Sequence, residues 1–143
     1  MTPSVRQFLS MPLRELDALF GSLDAGPIPD GRASGAILIG SGTRLDVAVA
    51  TAVRALAWKG KVFDARAGVL RNRVLPVGLQ AVPAKVYRGA SRLDGRNCVV
   101  IDYSRTSLVA HFIRDEIRLV RPGLYLGRAY WGRSLMFDFA LEF

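Results

Sequence analysis

The sequence is poor in the residues that most often carry chemistry, with one cysteine and one histidine among 143 residues. The single cysteine, Cys98, excludes an internal disulfide, and its place in an apolar run predicts a buried, inert thiol. One histidine, one cysteine and scattered carboxylates show no metal-ligand spacing, so neither a metal site nor a cofactor is expected. No apolar run approaches the roughly 18–20 residues of a membrane-spanning helix. The N-terminal residues also lack the order of a secretory signal, so a cytoplasmic protein is expected.

Lysine is scarce as well, since 17 of the 20 basic residues are arginine and the net charge is +8. A basic surface of this kind attracts nucleic acid or anionic lipid. The arginines are dispersed, however, with no block of four or more, and several alternate along predicted strands. No RNA-binding aromatic box, zinc-finger spacing or helix-turn-helix pattern accompanies them. The pattern therefore favours a solvated outer face over nucleic-acid binding.

What the sequence does contain is a series of apolar strands that runs to the C-terminus. Apolar and polar residues alternate in several of them, which is typical of strands with one buried face. The late strands are predicted at Cys98–Tyr103, Glu116–Arg121, Leu124–Trp131 and Leu135–Phe143. Residues 62–63, 67–75 and 82–87 predict earlier strands, in which Pro83 indicates an edge, a bulge or a late start. Asp94-Gly95 predicts a hairpin.

The first 57 residues read differently, as helices around one strand. Residues 11–22 predict a short amphipathic helix with Ser10 as its N-cap. Gly35–Gly40 predicts a compact apolar strand. Thr43–Trp58 predicts a second helix, which is expected to be well buried and to pack across the sheet or plug one end of a barrel.

These patterns predict one α+β domain over residues 1–143, which is long enough to bury a core without disulfides. Residues 1–57 form its helical segment with one strand, and residues 58–143 form an antiparallel β-barrel or strongly curled meander. Seven to nine strands joined by short turns are expected. The oligomeric state is left open, with a dimer as one possibility.

Trp58-Lys-Gly-Lys-Val-Phe63 resembles the opening of lipocalin-like bacterial families, notably one named for a Gly-X-Trp-X-Gly motif. Leu56 stands where that motif has its first glycine. Ala84–Gly89 and Tyr125-Leu-Gly127 are similar to the later strands, so the resemblance covers about residues 57–143. It implies a calycin-type barrel with a helix across one mouth and a cavity for small hydrophobic molecules such as lipids, terpenoids or haem. A few such barrels are isomerases or cyclases, and the resemblance assigns no functional residue.

The densest polar segment lies between residues 102 and 116. His111 is a candidate acid–base, or else a histidine hydrogen-bonded at the end of an apolar run. An enzyme acting on an apolar small molecule, such as an isomerase, cyclase or hydrolase, would need these side chains to converge in one cavity. The catalytic candidates are Asp102, His111, Asp115 and Glu116.

Amphipathic aromatics and inward-facing arginines suit a cavity that holds a small hydrophobic molecule such as a lipid, fatty acid or terpenoid. An inward arginine would anchor an acidic head group while the aromatics cover an apolar tail. The candidate ligand-binding residues are Trp58, Tyr87, Tyr103, Arg105, Arg114, Tyr125, Arg128, Tyr130 and Trp131. The alternative for each aromatic is an ordinary core residue. Binding of such a molecule is the expected function, with the enzyme as its alternative and binding to nucleic acid or an anionic surface as a third.

Overall fold

The structure, a computed structural model, describes residues 4–38, 58–74, 79–106 and 111–143. Two short helices, α1 (Val5–Leu9) and α2 (Leu13–Ser22), come first. Eight strands follow: β1 (Gly31–Leu38), β2 (Trp58–Asp64), β3 (Val69–Val74), β4 (Leu79–Ala90), β5 (Asn97–Asp102), β6 (Ile113–Arg121), β7 (Leu124–Trp131) and β8 (Ser134–Glu142).

The strands form a closed antiparallel barrel in sequence order, and β8 completes the ring by pairing with β1. The predicted α+β barrel of seven to nine strands is therefore confirmed. Because β1 is part of the ring, the barrel begins before residue 58. Each strand has two neighbours, so the apolar β8 presents no unpaired edge.

Side chains alternate between the lumen and the outer face of the barrel, as the strand period requires. Ile117 is buried in the luminal core, whereas its neighbours Glu116 and Arg118 face outward and are buried beneath other parts of the chain. The luminal core is built from fully or nearly buried residues of every strand, including Ala33, Phe63, Leu70, Val86, Ile101, Tyr125, Phe139 and Leu141.

Register shifts interrupt the ladders at four places, two of which involve Gly60 and Pro83. Gly60 has a φ of 145°, and a Cβ there would lie 2.0 Å from the Ala33 carbonyl oxygen, so only glycine fits this bulge. The register between β3 and β4 shifts next to Pro83, which pairs with Arg71. Of the three interpretations of Pro83, the structure therefore supports a bulge.

The helices pack on the outside of the barrel. Phe8 of α1 and Leu16 and Phe20 of α2 form a second apolar cluster with the outer faces of β1, β7 and β8. Helix α2 matches the predicted helix over 11–22, but Ser10 is the C-cap of α1 and Pro12 is the N-cap of α2. Residues 43–57 of the second predicted helix lie outside the described residues, and Trp58 belongs to β2.

The two ends of the barrel differ. At the end that holds Gly31 and Glu142, named the Phe143 mouth, Ile28 packs against the luminal core and Tyr125 Oη donates to the Pro27 carbonyl at 2.7 Å. The Phe143 ring covers Phe63 with 5.6 Å between ring centroids. An extended segment and one aromatic ring therefore close this mouth. The opposite end, named the Trp131 mouth, holds the strand ends Leu38, Trp58, Val74, Leu79, Asp102, Ile113, Trp131 and Ser134.

Candidate functional site

A cluster of four polar side chains crosses the lumen near the Trp131 mouth. Lys61 comes from β2, Asn72 from β3 and Asp115 from β6, while Tyr103 follows the last residue of β5. Strands β2 and β6 are four places apart in a ring of eight, so Lys61 and Asp115 approach each other from opposite walls. All four are buried, with Lys61 only 3% exposed. This set is named the luminal cluster.

Hydrogen bonds join the luminal cluster into one network. Lys61 Nζ donates to Asn72 Oδ1 at 2.7 Å and to Tyr103 Oη at 2.8 Å. Asn72 Nδ2 also donates to Tyr103 Oη at 2.7 Å. The Asp115 Oδ2 atom lies 3.1 Å from Lys61 Nζ and accepts a long 3.5 Å bond from the tyrosine hydroxyl. Among the described residues, the buried ammonium is therefore matched by one carboxylate, one amide oxygen and one hydroxyl.

Burial and neighbouring charge act in opposite directions on this cluster. Burial raises the pKa of Asp115, and the Lys61 ammonium opposes that rise. Burial disfavours the charge on Lys61, but Tyr103 and Asp115 outweigh it, so the lysine pKa lies above its usual range. Burial also raises the pKa of Tyr103. The lysine is therefore charged at neutral pH and the tyrosine hydroxyl keeps its proton.

The luminal cluster separates two apolar regions. Toward the Phe143 mouth lies the core around Val99, Ile117 and Phe139. Toward the Trp131 mouth, Ile113 and Phe137 are only partly buried. The Lys61 ammonium also lies 5.6 Å from the centre of the Phe139 ring, which adds an aromatic face to its surroundings.

The four catalytic candidates do not converge. Asp115 is luminal, whereas Asp102 accepts a hydrogen bond from Tyr87 at 2.7 Å on the outer face. Glu116 is buried on the outer face, where it binds the Ser91 hydroxyl at 2.7 Å. His111 is exposed in the turn before β6. The convergence that the enzyme hypothesis required is absent among these residues.

The arginine candidates are also spread outside the lumen. Arg128 is buried on the outer face of β7, where it pairs with Asp17 of α2 and donates to Tyr130 Oη at 3.0 Å. Arg114 bonds Glu116 at 3.1 Å on the same face. Arg105 is exposed in the turn after β5. The expected luminal arginine anchor is therefore not found at Arg114 or Arg128, and a lysine takes the luminal position.

The aromatic candidates divide between three places. Tyr103 belongs to the luminal cluster, and Tyr125 is luminal at the closed Phe143 mouth. Tyr87 and Tyr130 face outward, and Trp131 is half exposed at the Trp131 mouth. The side chain of Trp58 lies outside the described part of the structure.

Sequence reasoning did not single out Lys61 or Asn72. A partial signal was available in the alternation of β2, because Lys61 is two residues from Phe63 and therefore shares its luminal face. Lys59 falls at the same phase two residues earlier, so the alternation by itself does not show that Lys61 is the buried lysine. Its partners come from strands far apart in the sequence, so the alternation alone does not identify them.

Within the described ranges, no helix has the length and apolarity needed to cross a membrane. In the same part of the chain, no group of three or more His, Cys, Asp or Glu residues is placed to hold a metal ion.

Comparison with known proteins supports the fold alone. Neither family models nor curated proteins match this chain. A solved structure, described as a protein from Thermomonospora curvata, superposes with a TM-score of 0.69 at 21% identity, covering 93% of this chain and 88% of the other. The resemblance to the Gly-X-Trp-X-Gly family stays a prediction.

Proposed function

We propose that this protein binds a small, mostly apolar molecule at the Trp131 mouth, with a polar group of that molecule contacting Asp115 of the luminal cluster. The observation that carries the proposal is the position of the luminal cluster, between a close-packed core and a mouth. Ligand sites typically combine an apolar lining with a few placed polar groups. An eight-stranded barrel is just wide enough to hold one small ligand.

Stability alone is a poor reason for the luminal cluster. Replacing a buried ion pair by well-packed apolar residues is often neutral or stabilising, because both charges lose their hydration. Apart from Asn72 and Tyr103, the described luminal core around Lys61 and Asp115 is apolar, so apolar side chains at these two positions would suit most of their surroundings. A role in recognition accounts for the cost of burying them.

The charge balance of the luminal cluster favours a neutral polar group on the ligand. The carboxylate of Asp115 compensates the Lys61 ammonium, so a second carboxylate would add an uncompensated charge. A ligand hydroxyl that donates to the Asp115 carboxylate brings no charge of its own into the lumen. An apolar alcohol is therefore expected to bind better than the matching fatty acid.

The test is displacement of a fluorescent probe. The folded protein is titrated with the uncharged fluorescent probe N-phenyl-1-naphthylamine, and the bound probe is then challenged with dodecanol or with dodecanoate. The proposal expects dodecanol to displace the probe at lower concentration. Native mass spectrometry of the purified protein, with extraction of any bound molecule, supplies the natural ligand.

Two conservative variants localise the site. Tyr103→Phe and Asp115→Asn are each expected to weaken dodecanol binding about tenfold, since each removes a hydrogen bond or charge from the luminal cluster. Asp102→Asn changes a carboxylate on the outer face and is the matched control. The proposal is contradicted if Asp115→Asn and Asp102→Asn bind dodecanol with equal affinity. It is also contradicted if the folded protein binds no probe. If the protein is retained on heparin at low salt but binds no dodecanol, the result would support the nucleic-acid alternative.

A further inference from the structure

Two exposed aromatic side chains lie side by side at the Trp131 mouth. Phe112 is 54% exposed and Trp131 is 50% exposed, with 5.7 Å between their ring centroids. The Gly132 amide donates to the Phe112 carbonyl at 2.9 Å, which ties the turn before β6 to the β7–β8 turn. The aromatic pair is therefore held in place by the backbone.

Arginines flank this pair. Arg133 is exposed in the two-residue turn that follows Trp131, and among the described residues it forms no hydrogen bond or ion pair. The Arg92 guanidinium bonds the Gly132 carbonyl, which places a second exposed cation beside the same turn. The nearby carboxylate of Glu116 is buried and binds the Ser91 hydroxyl and the Arg92 amide. The two exposed charges at the β7–β8 turn, those of Arg92 and Arg133, are therefore positive.

We infer that the surface formed by Phe112, Trp131, Arg92 and Arg133, named the aromatic rim, docks on the surface of an anionic lipid bilayer. Tryptophan favours the membrane–water interface because its ring is apolar and its N–H is polar. Arginines beside inserted aromatics are attracted to anionic head groups. A net charge of +8 adds a long-range attraction to the same surface.

The aromatic rim lies directly above the luminal cluster. In the β6–β7 ladder, Ala129 pairs with Asp115 and Trp131 pairs with Ile113. Trp131 is therefore on the luminal face, two residues closer to the mouth than the position opposite Asp115. Docking of the rim would turn the Trp131 mouth toward the bilayer, so an apolar ligand could pass between them without crossing water. Docking itself depends only on the rim and does not require the proposed ligand.

Cosedimentation with vesicles tests the inference. The protein is mixed with vesicles of phosphatidylcholine alone or of phosphatidylcholine with phosphatidylglycerol, at low and at high salt. Binding is expected to the mixed vesicles at low salt and to weaken as salt screens the charges. A lack of binding to phosphatidylglycerol vesicles at low salt overturns the inference.

Paired variants separate the aromatic rim from general basicity. Phe112→Ser with Trp131→Ser is expected to weaken vesicle binding at least tenfold, whereas Leu9→Ser, at an exposed apolar residue of α1, is expected to leave it unchanged. Arg133→Glu is expected to weaken binding at least fivefold, the change that corresponds to about 1 kcal/mol per arginine near an anionic surface. Arg32→Glu makes the same charge change at the Phe143 mouth and is expected to alter binding less than twofold.

Other occupants of the aromatic rim would give different results. Equal losses in Arg133→Glu and Arg32→Glu would show diffuse charge attraction and contradict rim docking. A dimer that dissociates in the Phe112→Ser and Trp131→Ser variant, without vesicle binding, would assign the rim to a second copy of the chain. Probe displacement by dodecanol is measured without vesicles, so failure of ligand binding and failure of docking are distinguished.

Discussion

Asp138 lies 3.7 Å from the Arg128 guanidinium, yet neither of its carboxylate oxygens accepts a hydrogen bond from the described residues. The two residues are paired directly across β7 and β8 beneath helix α2. Asp17 of α2 forms an ion pair with the same guanidinium and adds a second negative charge near Asp138. The result is a carboxyl group, 1% exposed, that the fold does not solvate.

The environment of Asp138 predicts a pH-dependent stability. Burial first, and the Asp17 charge second, raise the pKa of Asp138 from 3.8 to about 7, although Arg128 opposes the rise. The folded protein therefore keeps a proton that the unfolded chain releases, and stability falls as pH rises from about 4 through about 7. The Asp138→Asn variant should lose this component, at most about 4 kcal/mol. Urea titrations of the parent protein and the variant at pH 5 and pH 8.5 measure the free energy of unfolding. If that free energy changes with pH equally in both proteins, the prediction is wrong.

The luminal ion pair predicts strong coupling between Lys61 and Asp115. Lys61→Met leaves a buried carboxylate without its cation and should lower the free energy of unfolding by about 3–5 kcal/mol. The double variant Lys61→Met with Asp115→Leu should recover most of that loss, because no buried charge remains. Lys85→Met, at an exposed lysine of β4, is the control and should change stability by less than about 0.5 kcal/mol. Additive losses in a double-mutant cycle from urea titrations would refute the coupling.

Gly127 predicts a steric limit inside the barrel. A Cβ at this position would lie 2.3 Å from the Phe139 ring, because the ring packs flat against the glycine backbone. Gly127→Ala should destabilise the fold by about 1–3 kcal/mol through overpacking. Adding Phe139→Leu should restore part of the loss. Gly21→Ala in α2, where a Cβ meets nothing closer than 3.9 Å, should be neutral or slightly stabilising in thermal unfolding.

Cys98 predicts protection from alkylation. Burial, with the Glu116 carboxylate as a further cause, raises the pKa of the thiol to about 12, and the side chain is fully buried. The folded protein should resist iodoacetamide at neutral pH, and the urea-unfolded chain should react completely. Mass spectrometry of the intact chain measures both, and rapid labelling of the folded protein would disprove the prediction.

The fold could be predicted because its determinants are local. The mostly apolar run Leu124–Trp131 and the turn residues around Gly132 define a strand and a hairpin within a few residues of sequence. Antiparallel neighbours in sequence order then need no long crossover. Helix α1 and the early start of β6 at Ile113 were not predicted, since a five-residue helix and a strand that begins with mixed polar residues give weak periodic signals.

The candidate site was less accessible to sequence reasoning because its contacts are distant. Tyr103 and Asp115 were named as candidates, but the arginines expected beside them lie on the outer face, where Arg128 and Arg114 meet acidic partners. The direction of a side chain depends on the register of the barrel, and a shift of one residue exchanges the two faces. Lys61 lies 42 residues from Tyr103, so only the closed ring brings them together.

Closure through β1 and β8 also has a consequence for how the chain folds during synthesis. The ladder that seals the ring runs from the pair Ser34 and Glu142 to the pair Leu38 and Asp138, so it joins residues at least 100 positions apart. The ribosome releases β1 early, but its partner emerges only with the last strand. Until then β1 and β7 each lack one neighbour, and apolar strands such as β7 are exposed to misassociation. Contacts this distant in sequence slow folding, so the growing chain depends on local hairpins, such as β6–β7, to bury apolar surface before the ring can close.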